Sequence, residues 1–330
     1  MQNRRSALIH TALSATAFIA VPSRLRAQQN ITKIIVPFAP GAGTDAVGRL
    51  VAQKLSEVLA TSVVVDNKTG AGGAIGAKFV ADAAPDGQTL LLAAAPFTTV
   101  PAALPNAGYD PIRQFAPVGM IASGPLVWAV NKDLPVSNMR EFVQLAKSKP
   151  GYFNYGSAGA GGINHLVLEM LKNRAGIFIT HIPYRGIAPA TMDMIGGQMH
   201  LVTGTVPALN AFIKDGRIKA LAVTASKRSS ALPDVPSMAE SGSGFAGFDV
   251  LNYFGLMAPK ATPLAVIERL NSALAKVLVL PDVRARFASD ALEPAAATGS
   301  SPAQLASFIE RDFSGWKQVV AAQNLKIDAA

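Results

Sequence analysis

ITKIIVPFAPGAGTD, residues 31–45, decides how the rest of the chain is read. Ile34, Ile35 and Val36 form an unbroken apolar run, the mark of a strand buried on both faces. Pro37, Pro40, Gly41 and Gly43 then break it into a loop. Beyond the loop the period changes. Val47, Leu50, Val51, Leu55, Val58 and Leu59 fall at helical spacing, with Thr44 expected as N-cap and Asp45 in the first turn. Strand, glycine loop and helix start together suit an anion. Glycines let backbone N–H groups turn outward, and the helix start adds positive potential. An ordinary tight turn leaves the same trace, but ligands collect at strand ends of open α/β sheets.

The alternation continues outward from this unit. Strands are expected at 62–66 and 88–94, with a helix near 74–83 between them. It resumes with a strand at 126–131, a helix capped by Ser137, and a short strand at 153–155. A helix at about 162–174 and strands at 177–182, 199–203 and 218–224 follow. Residues 226–252, rich in Ser, Pro and Gly, read as a long connection. A strand at 253–258 and helices near 263–279, 282–289 and 302–322 complete the chain.

Three other stretches carry chemistry-bearing residues. YGSAGAGGINH, residues 155–165, repeats the strand–glycine–helix design. It is not a phosphate loop, because no Lys-Ser/Thr follows the glycines, and its glycines miss the dinucleotide spacing. Tyr155 occupies the first glycine position of a nucleophile elbow around Ser157. Two such loops in separate halves of the chain suggest that they face each other across a cleft. HIPYRG, residues 181–186, brings Arg185, which either pairs with a carboxylate or stays solvated at a rim. NKTGAGGAIG, residues 67–76, either orients the first loop or packs closely.

Bulk properties narrow the function. The 330 residues are 50% hydrophobic and 15% charged, which suits a packed core of one large or two smaller domains. Cysteine is absent, so disulfides and thiol chemistry are excluded. Arg4 and Arg5, an apolar stretch from Ala7 to Val21, and Leu25-Arg26-Ala27 lay out a cleaved export signal over residues 1–27. Its paired arginines also resemble a twin-arginine signal. That segment holds four arginines and no acids, so its removal takes the net charge from +9 to +5. The remaining charge forms no basic stripe interleaved with aromatics, so nucleic acid is not an expected partner. A mildly positive body favours anionic ligands.

Catalytic and metal signals are weak. His165 and Glu169 lie four apart on one expected helix face, but no third metal ligand follows from spacing. A Ser157–His165–Asp arrangement, and hence a serine hydrolase, is conceivable but lacks the elbow. No enzyme activity, metal or cofactor is expected.

Segments spread over the whole mature chain carry a resemblance. They include IIVPFAPGAGTD, VVVDNKTGAGGAIGAKFVADAAPDGQTLLL, YDPIRQFAPVGMI, NYGSAGAGGINHL, HIPYRGIAPATMDMIGGQ, KDGRIKALAVTASKRSSALPDVPSMAESG, NYFGLMAPKATP and LNSALAKVLVLPDVRARF. In this order they resemble the Bug family, the tripartite tricarboxylate transporter receptors of bacterial periplasms. The resemblance implies a periplasmic binding protein type II fold, two α/β lobes around a central ligand cleft. It implies a discontinuous first lobe, 28–126 plus 250–330, and a second lobe, 127–249. It implies periplasmic capture of a small carboxylate or dicarboxylate, aromatic acids included, by a monomer that serves membrane permease subunits. A sensory receptor for a membrane kinase is the alternative with the same fold.

Carried over by position, the first-lobe loop comprises Phe38, Ala39, Gly41, Ala42, Gly43, Thr44 and Asp45. Ala95 and Pro96 form a more apolar pocket wall than is common. The second-lobe loop comprises Ser157, Ala158, Gly159, Gly161 and Gly162, with Tyr184 and Arg185 near the cleft. Thr203, Gly204 and Thr205 complete the set. Relatives often carry Asp at the position of Gly204, so its absence argues against an amino-acid ligand. Tyr253 stands where relatives commonly have Trp, which affects the distal pocket. Loop amides and water, rather than an arginine clamp, are expected to hold the ligand.

Overall fold

The structure, a computed structural model, describes residues 31–295, 300–322 and 324. The export segment expected at 1–27 lies outside the described residues. Three parallel strands open the chain: β1 (Thr32–Val36), β2 (Val63–Asn67) and β3 (Thr89–Ala94). Helices α1 (Gly43–Leu59), α2 (Ala74–Ala81) and α3 (Pro96–Ala103) follow them in turn. Ile34, Ile35 and Val36 are fully buried, each side chain contributing about 1.5–3 kcal/mol of transfer free energy.

β4 (Phe115–Asn131) is the strand on which the molecule turns. Over Phe115–Pro125 it pairs antiparallel with β9 (Leu251–Pro259), which in turn pairs antiparallel with β3. From Leu126 its partners change to β7 (Leu201–Thr205) and β8 (Ile218–Val223). β5 (Asn154–Ser157) lies parallel between β7 and β6 (Thr180–Pro183). Helices α4 (Met139–Ser148), α5 (Ile163–Ala175), α6 (Ile187–Ile195) and α7 (Val206–Lys214) cover this second group of strands. After β9 the chain returns to the first group through α8 (Leu264–Leu278), α9 (Pro281–Ser289), β10 (Glu293–Pro294) and α10 (Pro302–Ala322).

The architecture is therefore mixed α/β around one curled sheet. One core cluster packs α1, α8 and α9 on a face of the first group, and another packs α6 and α7 on a face of the second. A third runs through both groups, from Phe97 and Phe115 to Trp128, Phe142 and Tyr155.

Local expectations are corrected in two places. Helix α1 starts at Gly43 with Ala42 as N-cap, so Thr44 lies inside the helix. Asn138, not Ser137, caps α4, accepting from Glu141 N–H. Ser137 instead donates its own N–H to the Glu141 carboxylate.

Candidate functional site

Strand directions place the site. β3 runs antiparallel to β9, and β9 antiparallel to β4, so the first parallel set shares the direction of β4. β7 runs against β4, so the second parallel set points the opposite way. The carboxyl ends of the two sets therefore face each other. Ala94 stands level with Ala122 and Thr205 with Leu126, four residues of β4 apart, or about 13 Å at strand rise. Helices α1, α3, α5, α6 and α7 all start at these ends, and none has a side-chain cap hydrogen bond. Their first-turn N–H groups are the unpaired donors of helix termini, carrying the positive end of each dipole.

The first loop is braced from within. Gly41 N–H donates to Asp45 Oδ2 at 2.9 Å, and Arg49 Nε meets the same oxygen at 2.9 Å. Asn67 Nδ2 donates to Asp45 Oδ1 at 2.8 Å and to Phe38 O at 2.9 Å. The buried Asp45 carboxylate is thus engaged inside the loop. Burial alone would raise its pKa, but the bonds from Arg49, Gly41 and Asn67 outweigh burial and hold it below the usual value. Ala42 N–H bonds Ala39 O, so the donors left free at this end are those of the first turn of α1, from Gly43. Phe38 and Pro96 meet over Gly72 and Gly73 around a void of about 10 Å³, too small for a ligand. Ala95 N–H is tied to Asn252 Oδ1 at 3.2 Å, which fixes the wall to β9.

The second loop hangs on two imidazoles, that of the buried His165 and that of the half-buried His181. Ser157, fully buried, accepts from Gly159 N–H at 3.1 Å and lies 2.7 Å from His181 Nε2. Gly161 N–H donates to His165 Nδ1 at 3.1 Å, and Gly162 N–H to Gly159 O at 3.4 Å. Gly159 and Gly161 sit at φ +130° and +73°, the region where a side chain is strained. The glycine amides expected to meet a carboxylate are therefore used inside the loop, and the Ala158 and Ala160 amides make no such bond. The sequence offers His165 only as a partner of Glu169 or of Ser157, and gives His181 no role of its own. The signal that could have found them is the spacing Gly161–His165, one helical turn.

The remaining expected residues divide. Tyr184 N–H ties the turn to Ser157 O at 3.0 Å, while its hydroxyl donates to Asp193 at 2.7 Å, away from the loop. Burial first, then the Asp193 bond, pushes that phenol up to about 12. Arg185 is exposed and has no ion-pair partner among the described residues. Thr203 is buried, and Asn164 at the start of α5 donates its amide to Thr203 O. A Cβ on Gly204 would press on Leu209 at 3.0 Å and Ile187 at 3.4 Å, so this position is apolar. Tyr253 is buried against Phe308 and lies 3.2 Å from Thr98 Oγ1, facing α10.

The two ends come into contact. A Cβ on Gly43 would stand 3.0 Å from Thr205 Oγ1, and one on Gly72 would stand 3.7 Å from Ala160 O. Residues 67–76 therefore do both things expected of them: Asn67 orients the first loop and Gly72 packs against the second.

Ser157 finds His181 and not His165, the partner of the conceivable but unsupported triad. The pair is no hydrolytic dyad. Ser157 Oγ is buried and bonded to Gly159, and the His181 ring is stacked on His165 at 3.8 Å and lies against Tyr155 at 4.9 Å. No carboxylate orients His181 by a hydrogen bond among the described residues, the third role a triad requires. No group of three or more metal-ligating side chains occurs among the described residues. A cavity of about 510 Å³ lies elsewhere, between β4 and α10, lined by Met120, Gln304, Phe308 and Arg311.

A family model described as the tripartite tricarboxylate transporter family receptor matches residues 47–325. The periplasmic binding protein BugD superposes with a TM-score of 0.83 at 34% identity, covering 90% of this chain and 98% of its own. A Rhodopseudomonas palustris protein solved with adipate superposes at 0.84, with 32% identity, over 90% of this chain and 97% of its own. MatC from the same organism, with bound malate, superposes at 0.83, with 30% identity, over 88% and 99%.

Proposed function

The chain belongs to the tripartite tricarboxylate transporter receptor family, and from that premise we propose that it captures a small carboxylate lacking an ammonium group, mono- or dicarboxylic, between its two loops. The observation that carries this reading is the meeting of two opposed sets of strand ends, each offering uncapped helix starts and unpaired loop amides. Charge-assisted bonds from such amides contribute about 1.5–3 kcal/mol each, so two or three support micromolar capture after ordering losses. The adipate and malate held by two relatives agree with this class. Asp45 is engaged and Gly204 faces Leu209, so neither offers an ammonium group an acceptor.

On this reading the chain is exported, its first 27 residues are removed so that the mature protein begins near Gln28, and it hands its ligand to membrane permease subunits. Its two lobes are 28–126 plus 250–330 and 127–249, which the change of β4 partners between Pro125 and Leu126 supports. The test is a thermal-shift screen of mono- and dicarboxylates, aromatic acids and amino acids, since a ligand of the native state alone raises Tm. A shift with a carboxylate and none with its α-amino counterpart is expected. Shifts confined to amino acids, or none with any carboxylate, would overturn the reading.

A further inference from the structure

A buried histidine, His165, and a half-buried one, His181, lie under the second loop, and the capture just described assigns them nothing. His165 on α5 and His181 on β6 stack with ring centroids 3.8 Å apart and planes 10° from parallel. Each reaches one glycine of the loop: His165 Nδ1 takes the Gly161 N–H directly, and His181 takes Gly159 through the Ser157 hydroxyl. We propose that His165 and His181 are positioning residues of the second loop: the pair draws the Gly159 and Gly161 amides inward, and so leaves the Ala158 and Ala160 amides turned out for a carboxylate. The inference rests on the reading of this loop as a ligand loop.

The chemistry fixes a proton position. An amide can donate to Nδ1 only if that nitrogen carries a lone pair, so neutral His165 holds its proton on Nε2. That nitrogen faces Glu169 Oε1 at 3.8 Å. Protonating Nδ1 would set one donor against another and release Gly161. Among the described residues, the titratable groups facing the pair are Glu169 and Lys172 from α5, Tyr155 from β5, and each ring for the other. At the end of helix α3, packed on the loop, Ala103 and Leu104 lie nearest to Gly161. Burial first, then Lys172, lowers His165 to about 4. Burial first, then His165 and Lys172 against an opposing Glu169, lowers His181 to about 3. Both rings are neutral at ordinary pH, with the acceptor in place.

The test uses the ligand-free mature protein and ¹⁵N NMR. His165 Nδ1 is expected to show the shift of an unprotonated ring nitrogen, and the Gly161 amide to be protected from exchange. Protection should fall by about tenfold in His165→Phe and stay within about threefold in His165→Asn, whose Oδ1 replaces the acceptor. In the native protein it should also be lost as pH passes below about 4, and not in the Asn variant. A protonated Nδ1 at neutral pH would overturn the proposal. So would Gly161 protection that survives His165→Phe, or that ignores pH in the native protein. If His165→Phe fails to fold, the native tautomer and the Asn pH series still decide. These readouts need no ligand, so failure of the carboxylate screen and failure of the latch are separate results.

Discussion

Ser157 shows how a hydroxyl can matter without touching a ligand. It is fully buried and joins Gly159 N–H to His181. Removing it leaves a buried donor and a ring nitrogen unpaired, and that loss exceeds the net worth of one neutral bond. Ser157→Ala is expected to lower unfolding stability by about 1–3 kcal/mol in urea titration, where a mere surface contact would change it by under about 0.5. Gly204 works by shape. A Cβ there presses on Leu209, so Gly204→Asp should lower Tm and gain no amino-acid binding, read by thermal shift against a panel of amino acids. Binding of an amino acid by this variant would show that the position is open to a polar group after all. The Asp45 brace and the histidine latch were legible only in part: Gly41 and Arg49 lie four residues from Asp45, and Gly161 four from His165, but Asn67 comes from the end of β2 and His181 meets Ser157 only through the pairing of β5 with β6.

The helix starts act as elements, and α1 gives the clearest test. Its first residue, Gly43, has no room for a side chain facing Thr205. Gly43→Val is expected to hold the two ends apart and weaken carboxylate capture by at least tenfold in calorimetry, with Tm of the free protein changed by only a few degrees. Undiminished affinity would place the ligand elsewhere. Most strands and helices could be read because apolar runs and helical periods are local signals. Among those that could not are the first part of β4 and the whole of α3. β4 was legible only from Leu126, because Pro117, Gly119, Gly124 and Pro125 break the strand pattern before it. Those residues are accommodated where the pairing with β9 shifts register, at Pro117/Gly119 and Met120/Ala122, and where β4 changes partners. Helix α3 was hidden by Pro96 and Pro101. Pro96 occupies the first turn, where no N–H is needed, and Pro101 is tolerated within a helix of eight residues.

At the scale of the whole molecule, the buried histidines tie stability to pH. Their native pKa values, about 4 and about 3, lie below the 6.5 of the free side chain, so the unfolded chain takes up protons that the native state refuses. Stability is therefore complete above about pH 6.5 and falls as pH drops towards 4 and 3. Urea midpoints at pH 7 and pH 5 should differ in that direction, and His165→Asn should flatten part of the slope. A midpoint that rises on acidification would contradict neutral buried rings. The central claim, capture between two opposed loops, is tested most directly by amide NMR during titration with the carboxylate that raises Tm most. The account predicts that the amides of Gly43 and Thr44 in one loop and of Ala158 and Ala160 in the other shift together, along one binding curve. Shifts confined to one loop, or centred on the outer cavity at Met120 and Arg311, would contradict it.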